Sequence, residues 1–154
     1  MNKIFLNKIF IKLFYILNML ILLSCQKSSE KENAIKYIKK VVTDTNNAIN
    51  PPARISENTI AERVIFDENT NTIIYTYVIE NVSENNKKDF LDELKEIEKN
   101  QIERAKKMQG KNKNYQILNV TIFSVYKDQF NDTIYSFKIT PNMYLGFPYT
   151  VVIY

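Results

Sequence analysis

Two segments in which apolar and aromatic residues alternate with polar ones limit what this chain can fold into. Each of them follows a turn rich in Asp and Asn, and each turn follows another β-branched, aromatic segment. This arrangement is typical of β-hairpins. The predicted strands are Thr59–Phe66 and Thr72–Glu80 in the first hairpin, and Gln116–Lys127 and Thr133–Thr140 in the second.

An amphipathic helix precedes each predicted hairpin. The first begins at Ser29 or Glu30 and ends at Pro51-Pro52, or earlier at Asn46-Asn47, because a residue before proline disfavours helical geometry. The second spans Asn86–Met108, with acidic residues in its first half and basic residues at its end, which complements the helix dipole. Gly110 is predicted to stop it. The stripe on this second helix comprises Phe90, Leu94, Ile97, Gln101, Ala105 and Met108.

These elements predict an α+β fold in the order α-β-β-α-β-β, with one antiparallel sheet of four to five strands and two helices on one face. Tyr149–Tyr154 is a candidate fifth strand. Residues 71–79 resemble residues 131–139 at a separation of 60, which suggests two helix-hairpin repeats. A chance likeness between aromatic-rich hairpins in an Asn- and Ile-rich chain remains the alternative. The element order is similar to that of cystatin-like and tandem PepSY-like exported domains, and no motif selects between them.

The composition excludes several kinds of chemistry. Among 154 residues there are no histidines, one cysteine and two glycines. Catalytic triads that need His, zinc sites that contain His, internal disulfides and glycine-rich phosphate loops are therefore excluded. We expect no enzyme activity, no cofactor and no metal. Asp67, Glu68 and Asn69 lack the spacing of an EF-hand loop and are predicted to form a polar turn.

The N-terminus has the pattern of an export signal. Lys3, Lys8 and Lys12 occur without any acidic residue and are followed by the uncharged run Leu13–Ser24. As a helix this run would measure about 18 Å, whereas the hydrocarbon core of a bilayer is about 30 Å thick. The run is therefore too short to favour a membrane span.

The run ends in Leu22-Leu23-Ser24-Cys25, which resembles the lipobox of bacterial lipoproteins. The resemblance implies cleavage between Ser24 and Cys25, with residues 1–24 removed, and a covalent lipid on Cys25. Two or three acyl chains hold a protein stably on a membrane without spanning it. Residues 25–32 would then form the lipidated cysteine and its tether, and residues 33–154 a single domain.

Gln26 occupies the position at which Asp would favour inner-membrane retention, so the resemblance favours the outer membrane if the source has two membranes. The predicted location is thus the cell envelope. Removing residues 1–24 takes away three lysines and no acidic residue, which lowers the formal net charge from +4 to +1. We therefore expect no nucleic-acid partner. The basic residues between Arg104 and Lys113 are interpreted as a solvated helix end that can meet anionic headgroups.

Aromatic residues are the main candidates for recognition, because tyrosine provides a large contact area at low entropic cost. The candidate binding surface comprises the strand tyrosines Tyr75, Tyr77, Tyr126 and Tyr135. The alternative is that these strand aromatics pack beneath the helices as core. A second candidate contact region is Met143–Tyr149.

These observations lead to a functional hypothesis. The chain is predicted to be a lipid-anchored envelope protein whose small, non-enzymatic domain binds an envelope protein or polymer. An inhibitor or immunity lipoprotein that acts on a hydrolase or toxin is the alternative.

Overall fold

The computed structural model describes residues 29–145, which form one five-stranded sheet covered by helices. Helix α1 covers residues 29–49 of this range. The strands are β1 (Ala53–Ser56), β2 (Thr59–Asp67), β3 (Thr72–Ile79), β4 (Thr121–Asp128) and β5 (Thr133–Ile139). Between β3 and β4 lie α2 (Lys87–Met108), a 3₁₀ turn (Gln109–Lys111) and α3 (Lys113–Leu118), and α4 (Pro141–Tyr144) follows β5.

The predicted α+β class is confirmed. Both hairpins form, because β2 pairs with β3 and β4 with β5 in antiparallel register, and each follows a long helix. The strand order in the sheet is β1-β2-β3-β4-β5. The chain thus contains two helix-hairpin units, and their origin by duplication stays a prediction.

The sheet is mixed, whereas the sequence pattern predicted antiparallel pairing throughout. The two hairpins meet at β3 and β4, which pair in parallel from Thr72↔Thr121 to Ile79↔Asp128. Parallel neighbours need a long crossover connection, and here α2 and α3 provide it. The alternation of apolar and polar residues within a strand does not reveal the direction of the neighbouring strand. The sequence pattern therefore could not predict this parallel pairing.

Several element boundaries also differ from prediction. Strand β1 was missed, because it has four residues and follows directly after Pro51-Pro52. The predicted strand start at Gln116 is wrong, since residues 113–118 form α3. The Asn112 side chain caps α3 by accepting from the Asn114 N–H at 3.0 Å, and Tyr115 and Leu118 are buried at helical spacing. Pro141 ends the last strand as expected and begins α4.

Both long helices follow the sequence pattern closely. Helix α1 continues through Asn46 and ends before Pro51. Of the two predicted ends, the one at Pro51-Pro52 is therefore correct. Helix α1 already includes residues 29–32, which the prediction assigned to the tether. In α2, Leu94 and Ala105 from the predicted stripe are buried, whereas Met108 is exposed.

The helices cover one face of the sheet, as predicted. Ala34 and Ile38 of α1 and Leu94 and Ala105 of α2 belong to one buried cluster with inward-facing strand residues such as Ile73. Burial of Ile38, Leu94 and Ile73 contributes roughly 1.5–3 kcal/mol each, and the smaller alanines contribute less. This cluster holds the helices to the sheet.

A single asparagine attaches α1 to the edge of β2. Strand β1 pairs with β2 only from Thr59 to Ala61, so within residues 29–145 the backbone at Val64 has no strand neighbour on that side. The Asn46 side chain accepts from the Val64 N–H at 3.2 Å and donates to the Val64 carbonyl at 2.8 Å. It thereby replaces the missing strand and blocks an exposed edge.

Asparagine occupies turn positions with positive φ, at which glycine is common in other proteins. Every non-glycine residue with positive φ between residues 29 and 145 is Asn, including Asn71 and Asn131 at the two hairpin turns. Asparagine tolerates the left-handed region because its short side chain can hydrogen-bond locally. The predicted hairpin turns are therefore confirmed.

Glycine is needed at position 110 mainly because the backbone of another segment lies close to it, and less because α2 ends nearby. Gly110 lies within the 3₁₀ turn after α2, where a Cβ would clash with the backbone oxygen of Tyr144. Glycine lets α4 pack directly on this turn. The end of the described chain therefore lies beside the end of α2.

Several predictions concern residues outside the described range. These are the signal segment 1–24, the lipidation site Cys25, the start of the tether and the candidate strand Tyr149–Tyr154. The candidate contact region Met143–Tyr149 is described only through Leu145.

Two isoleucines offer a matched test of the core. Ile38 is fully buried, whereas Ile55 is 54% exposed. We expect Ile38→Ala to lower the free energy of unfolding by about 2–5 kcal/mol, because the change leaves a cavity beneath α1. Ile55→Ala should change it by less than about 1 kcal/mol. Urea titration followed by circular dichroism measures both, and equal losses would contradict this packing.

Candidate functional site

Tyrosines form a row on the helix-covered face of the sheet. Tyr75 and Tyr77 are two residues apart on β3, and the parallel register places Tyr126 of β4 opposite Tyr77. The rings of Tyr77 and Tyr126 stack with centroids 4.8 Å apart, and those of Tyr75 and Tyr77 lie nearly parallel at 6.5 Å. Phe137 extends the row across β5, with its centroid 6.2 Å from that of Tyr126.

The structure brings together all four tyrosines of the predicted binding surface. Tyr135 of β5 faces Tyr126 in the antiparallel register, so it lies on the same face. This face lies beneath the helices, as predicted by the alternative interpretation in which the strand aromatics are core residues. It is not the open face of the sheet. The role of these tyrosines in binding stays a prediction, and it depends on which of them border an open cleft.

A cleft of about 600 Å³ opens between α1, α2 and the tyrosine row. Helix α1 contributes Tyr37, Val41, Thr45 and Ile49 to one wall. Tyr75, Tyr77, Ile122 and Ile139 of the sheet form the floor. Both helices are attached to the sheet elsewhere, so the cleft is part of the folded framework.

The wall opposite α1 comes from the last turns of α2 and the segments after it. Gln101, Arg104, Ala105 and Met108 line it, followed by Gln109, Asn112 and Tyr115. Ala105 and Ser124 are small and buried beside the tyrosine row. Small residues at these places leave room for the cleft. Asn112 donates a hydrogen bond to the Tyr37 hydroxyl at 2.9 Å and links the two walls at one end.

Several polar groups of the cleft have no partner in the part of the chain that is described. The hydroxyls of Tyr75, Tyr77 and Tyr115 make no hydrogen bond within residues 29–145, and neither does the buried Oε1 atom of Gln109. Hydroxyls that have no protein partner can hydrogen-bond to water or to a ligand. The cleft therefore offers both donors and acceptors on an aromatic floor.

Arg104 supplies the charge of the cleft. Among the described residues that line it, Arg104 alone is ionised at neutral pH. Its side chain is exposed, and no carboxylate within residues 29–145 forms a salt bridge with it. An unpaired guanidinium beside an aromatic floor gives this cleft a positive potential.

Burial governs the ionisation of the tyrosines. It raises the pKa values of Tyr75, Tyr77 and Tyr115, and for the last two the neighbouring tyrosine hydroxyls raise the pKa further. Burial also raises the pKa of Tyr126 to about 12, against the opposing effect of a hydrogen bond with Gln101. All of these hydroxyls therefore stay neutral at physiological pH.

Gln101 and Tyr77 separate this cleft from a second one. The second opening, of about 440 Å³, lies between the first half of α2 and the β1–β2 turn, and the same two residues line it. Gln101 is held in place by the Ser124 hydroxyl, which donates to its Oε1 at 3.3 Å. The second opening carries Glu57 and Glu93, so the two clefts differ in charge.

Tyr135 lines neither opening. Its hydroxyl donates a hydrogen bond to the Glu98 carboxylate of α2, and this bond raises the pKa of Tyr135 to about 12. Tyr135 therefore ties α2 to β5, whereas the other three predicted tyrosines border open space.

The predicted surface did not include several residues that line the cleft, among them Tyr37, Gln101, Arg104, Gln109 and Tyr115. One signal was present in the sequence, because Gln101 interrupts the apolar stripe of α2 with a polar side chain. The sequence grouped Arg104 with the neighbouring lysines in one basic run. Only the structure shows that Arg104 lines the cleft, whereas the lysines of that run do not.

Within residues 29–145, no group of three or more metal-ligating side chains comes together. None of the helices in this range is both long enough and apolar enough to cross a bilayer.

The buried tyrosines predict a loss of stability at high pH. The pKa of Tyr126 is about 12 in the folded protein, against 10.0 for an unperturbed tyrosine. Between these values the unfolded chain releases a proton that the folded chain retains, so stability falls as pH rises. The loss approaches about 1.4 kcal/mol per pH unit for one such tyrosine.

Urea titrations at pH 8, 10 and 11 measure this loss, and Tyr126→Phe, which keeps the stacked ring, should make the decline shallower. An unchanged decline in Tyr126→Phe would contradict the burial of this hydroxyl.

The comparisons with known proteins concern the fold. No protein-family model matches the chain, and a search of curated proteins gives no significant match. The fold is similar to the crystal structure of a protein from Pseudomonas aeruginosa described as a "putative secreted protein". The TM-score is 0.52 at 10% sequence identity, over 74% of this chain and 95% of that chain. At this identity the likeness establishes a shared fold alone.

Proposed function

We propose that this chain is a lipid-anchored protein of the bacterial envelope whose non-enzymatic domain binds a ligand in the cleft between α1 and α2. The observation that carries the proposal is the tyrosine-floored cleft, with polar groups that have no partner within the described chain. A volume of about 600 Å³ falls within the range of small-molecule sites, about 300–1,000 Å³.

The lining residues support binding more than catalysis. Aromatic, aliphatic and amide side chains make up most of the described lining, and carboxylates are missing from it. Such groups hold and orient a ligand, whereas hydrolysis by paired acids needs two carboxylates at a fixed separation. The tyrosine hydroxyls stay protonated, which suits hydrogen bonding.

The lipid anchor is supported by the Leu22-Leu23-Ser24-Cys25 sequence, and the position of α1 limits how far the domain would lie from that anchor. Helix α1 already includes Ser29, four residues after Cys25. Four residues span at most about 14 Å, so a lipid on Cys25 would hold the domain close to the membrane. The secreted description of the structural neighbour agrees with an extracytoplasmic location.

One feature favours the alternative of an inhibitor. Phe130 lies at the tip of the β4–β5 turn and is 76% exposed. A protruding aromatic side chain is suited to enter the active site of a hydrolase or toxin. We place this second, because one exposed residue is a smaller feature than a cleft formed by α1, α2 and three strands.

The first prediction tests the anchor. Cys25→Ala in the full chain should abolish metabolic labelling with palmitate and leave an uncleaved precursor, because the thiol that accepts the lipid is gone. Ser28→Ala, three residues after Cys25, is the matched control and should label normally. Persistent labelling of Cys25→Ala would refute the lipoprotein assignment.

A second prediction tests the cleft. Residues 26–154 contain the whole described core and can be prepared without lipid. We expect the neutral fluorescent probe N-phenyl-1-naphthylamine to bind this protein saturably. Thr45→Trp should abolish that binding, because Thr45 lines the cleft and the larger indole fills it.

The control is Thr43→Trp, an exposed position on the same helix, which should bind the probe as the unmodified protein does. Loss of binding in both variants, or in neither, would place the probe elsewhere and contradict the proposal.

A further inference from the structure

The charge in the cleft restricts what it can bind. Arg104 is the single ionised residue among the described residues that line it. An anion placed there meets an attractive charge and no nearby repulsive one from the lining, whereas a cation meets the reverse. The second opening, which carries two glutamates, has no such preference for anions.

Arg104 is also available for binding. Lys106, two residues further along α2, differs in this respect, since it forms a salt bridge with Glu103 at 2.6 Å. Arg104 has no such carboxylate partner within residues 29–145. A guanidinium offers several donors in a planar fork, which matches the oxygens of a carboxylate, phosphate or sulfonate.

The rest of the cleft is suited to an apolar body. Val41, Ile122 and Ile139 provide aliphatic surface, and Tyr75 and Tyr77 provide nearly parallel rings. The hydroxyls of Tyr75, Tyr77 and Tyr115, which make no hydrogen bond within residues 29–145, can satisfy a few polar groups along that body. The combination of one cation with an apolar, aromatic lining is therefore complementary to an amphiphile with a single anionic group.

We propose that the cleft selects anionic amphiphiles, with Arg104 binding the anionic group and the tyrosine floor binding the apolar or aromatic body. This inference rests on the proposed function, since it assigns the ligand class of the same cleft. Free acids and phosphate esters share the required chemistry, and competition experiments distinguish them.

Two probes that share a ring system test the charge preference. 1-Anilinonaphthalene-8-sulfonate is N-phenyl-1-naphthylamine with an added sulfonate, so their affinities for residues 26–154 differ mainly through the anion. We expect Arg104→Gln to weaken the sulfonate probe about tenfold, as for loss of a charged hydrogen bond. The neutral probe should bind the variant almost unchanged.

Lys107→Gln is the matched control, because it removes one positive charge from the same helix outside the cleft. It should leave both probes almost unaffected, and Arg104→Lys should restore part of the affinity for the sulfonate probe. Equal losses in Arg104→Gln and Lys107→Gln would overturn the inference, since the effect would then be one of overall charge.

Competition against the bound neutral probe identifies the anionic group. Displacement by laurate or by dodecyl phosphate, and not by dodecanol at the same concentration, supports the inference and shows which headgroup is preferred. Displacement by all three alike would overturn it while leaving the cleft as a binding site. If neither fluorescent probe binds saturably, both the proposed function and this inference fail.

Discussion

The parallel pairing of β3 with β4 is the constraint on which the rest of the structure depends. It joins the two hairpins into one sheet and sets Tyr77 opposite Tyr126, so that their rings stack across the middle of the sheet. The connection that makes a parallel pair possible is α2, which therefore crosses the face that carries the tyrosines. One pairing thus determines the floor of the cleft and one of its walls.

The cleft exists because the helices cover this face incompletely. Helix α1 is anchored through buried Ala34 and Ile38 and through the contact of Asn46 with the β2 edge. Helix α2 is anchored through Leu94 and through the hydrogen bond of Tyr135 with Glu98. Between these attachments α1 and α2 do not close over the tyrosine row, and the cleft stays open there. The same packing that stabilises the fold therefore leaves Tyr75 and Tyr77 accessible from the cleft.

Much of the local structure could be predicted, because it depends on short-range rules. The spacing of apolar residues predicted α2 as Asn86–Met108, and the helix spans Lys87–Met108. Asn71 and Asn131 marked both hairpin turns, since asparagine accepts positive φ in a chain with two glycines. Strand β1 and helix α3 were missed because each is short, and short segments have too few residues for a periodicity to show.

The sequence by itself determined the two helix-hairpin units, the face on which Ile73, Tyr75, Tyr77 and Ile79 lie, and the candidate lipidation motif. These follow from periodicity and from contiguous residues. Tertiary structure decided that the hairpins meet in parallel and that Arg104 lines the tyrosine cleft without a carboxylate partner among residues 29–145. The physical reason is that both outcomes depend on contacts between residues far apart in the chain, such as Tyr37 with Asn112, and residue order along one strand or helix does not encode them.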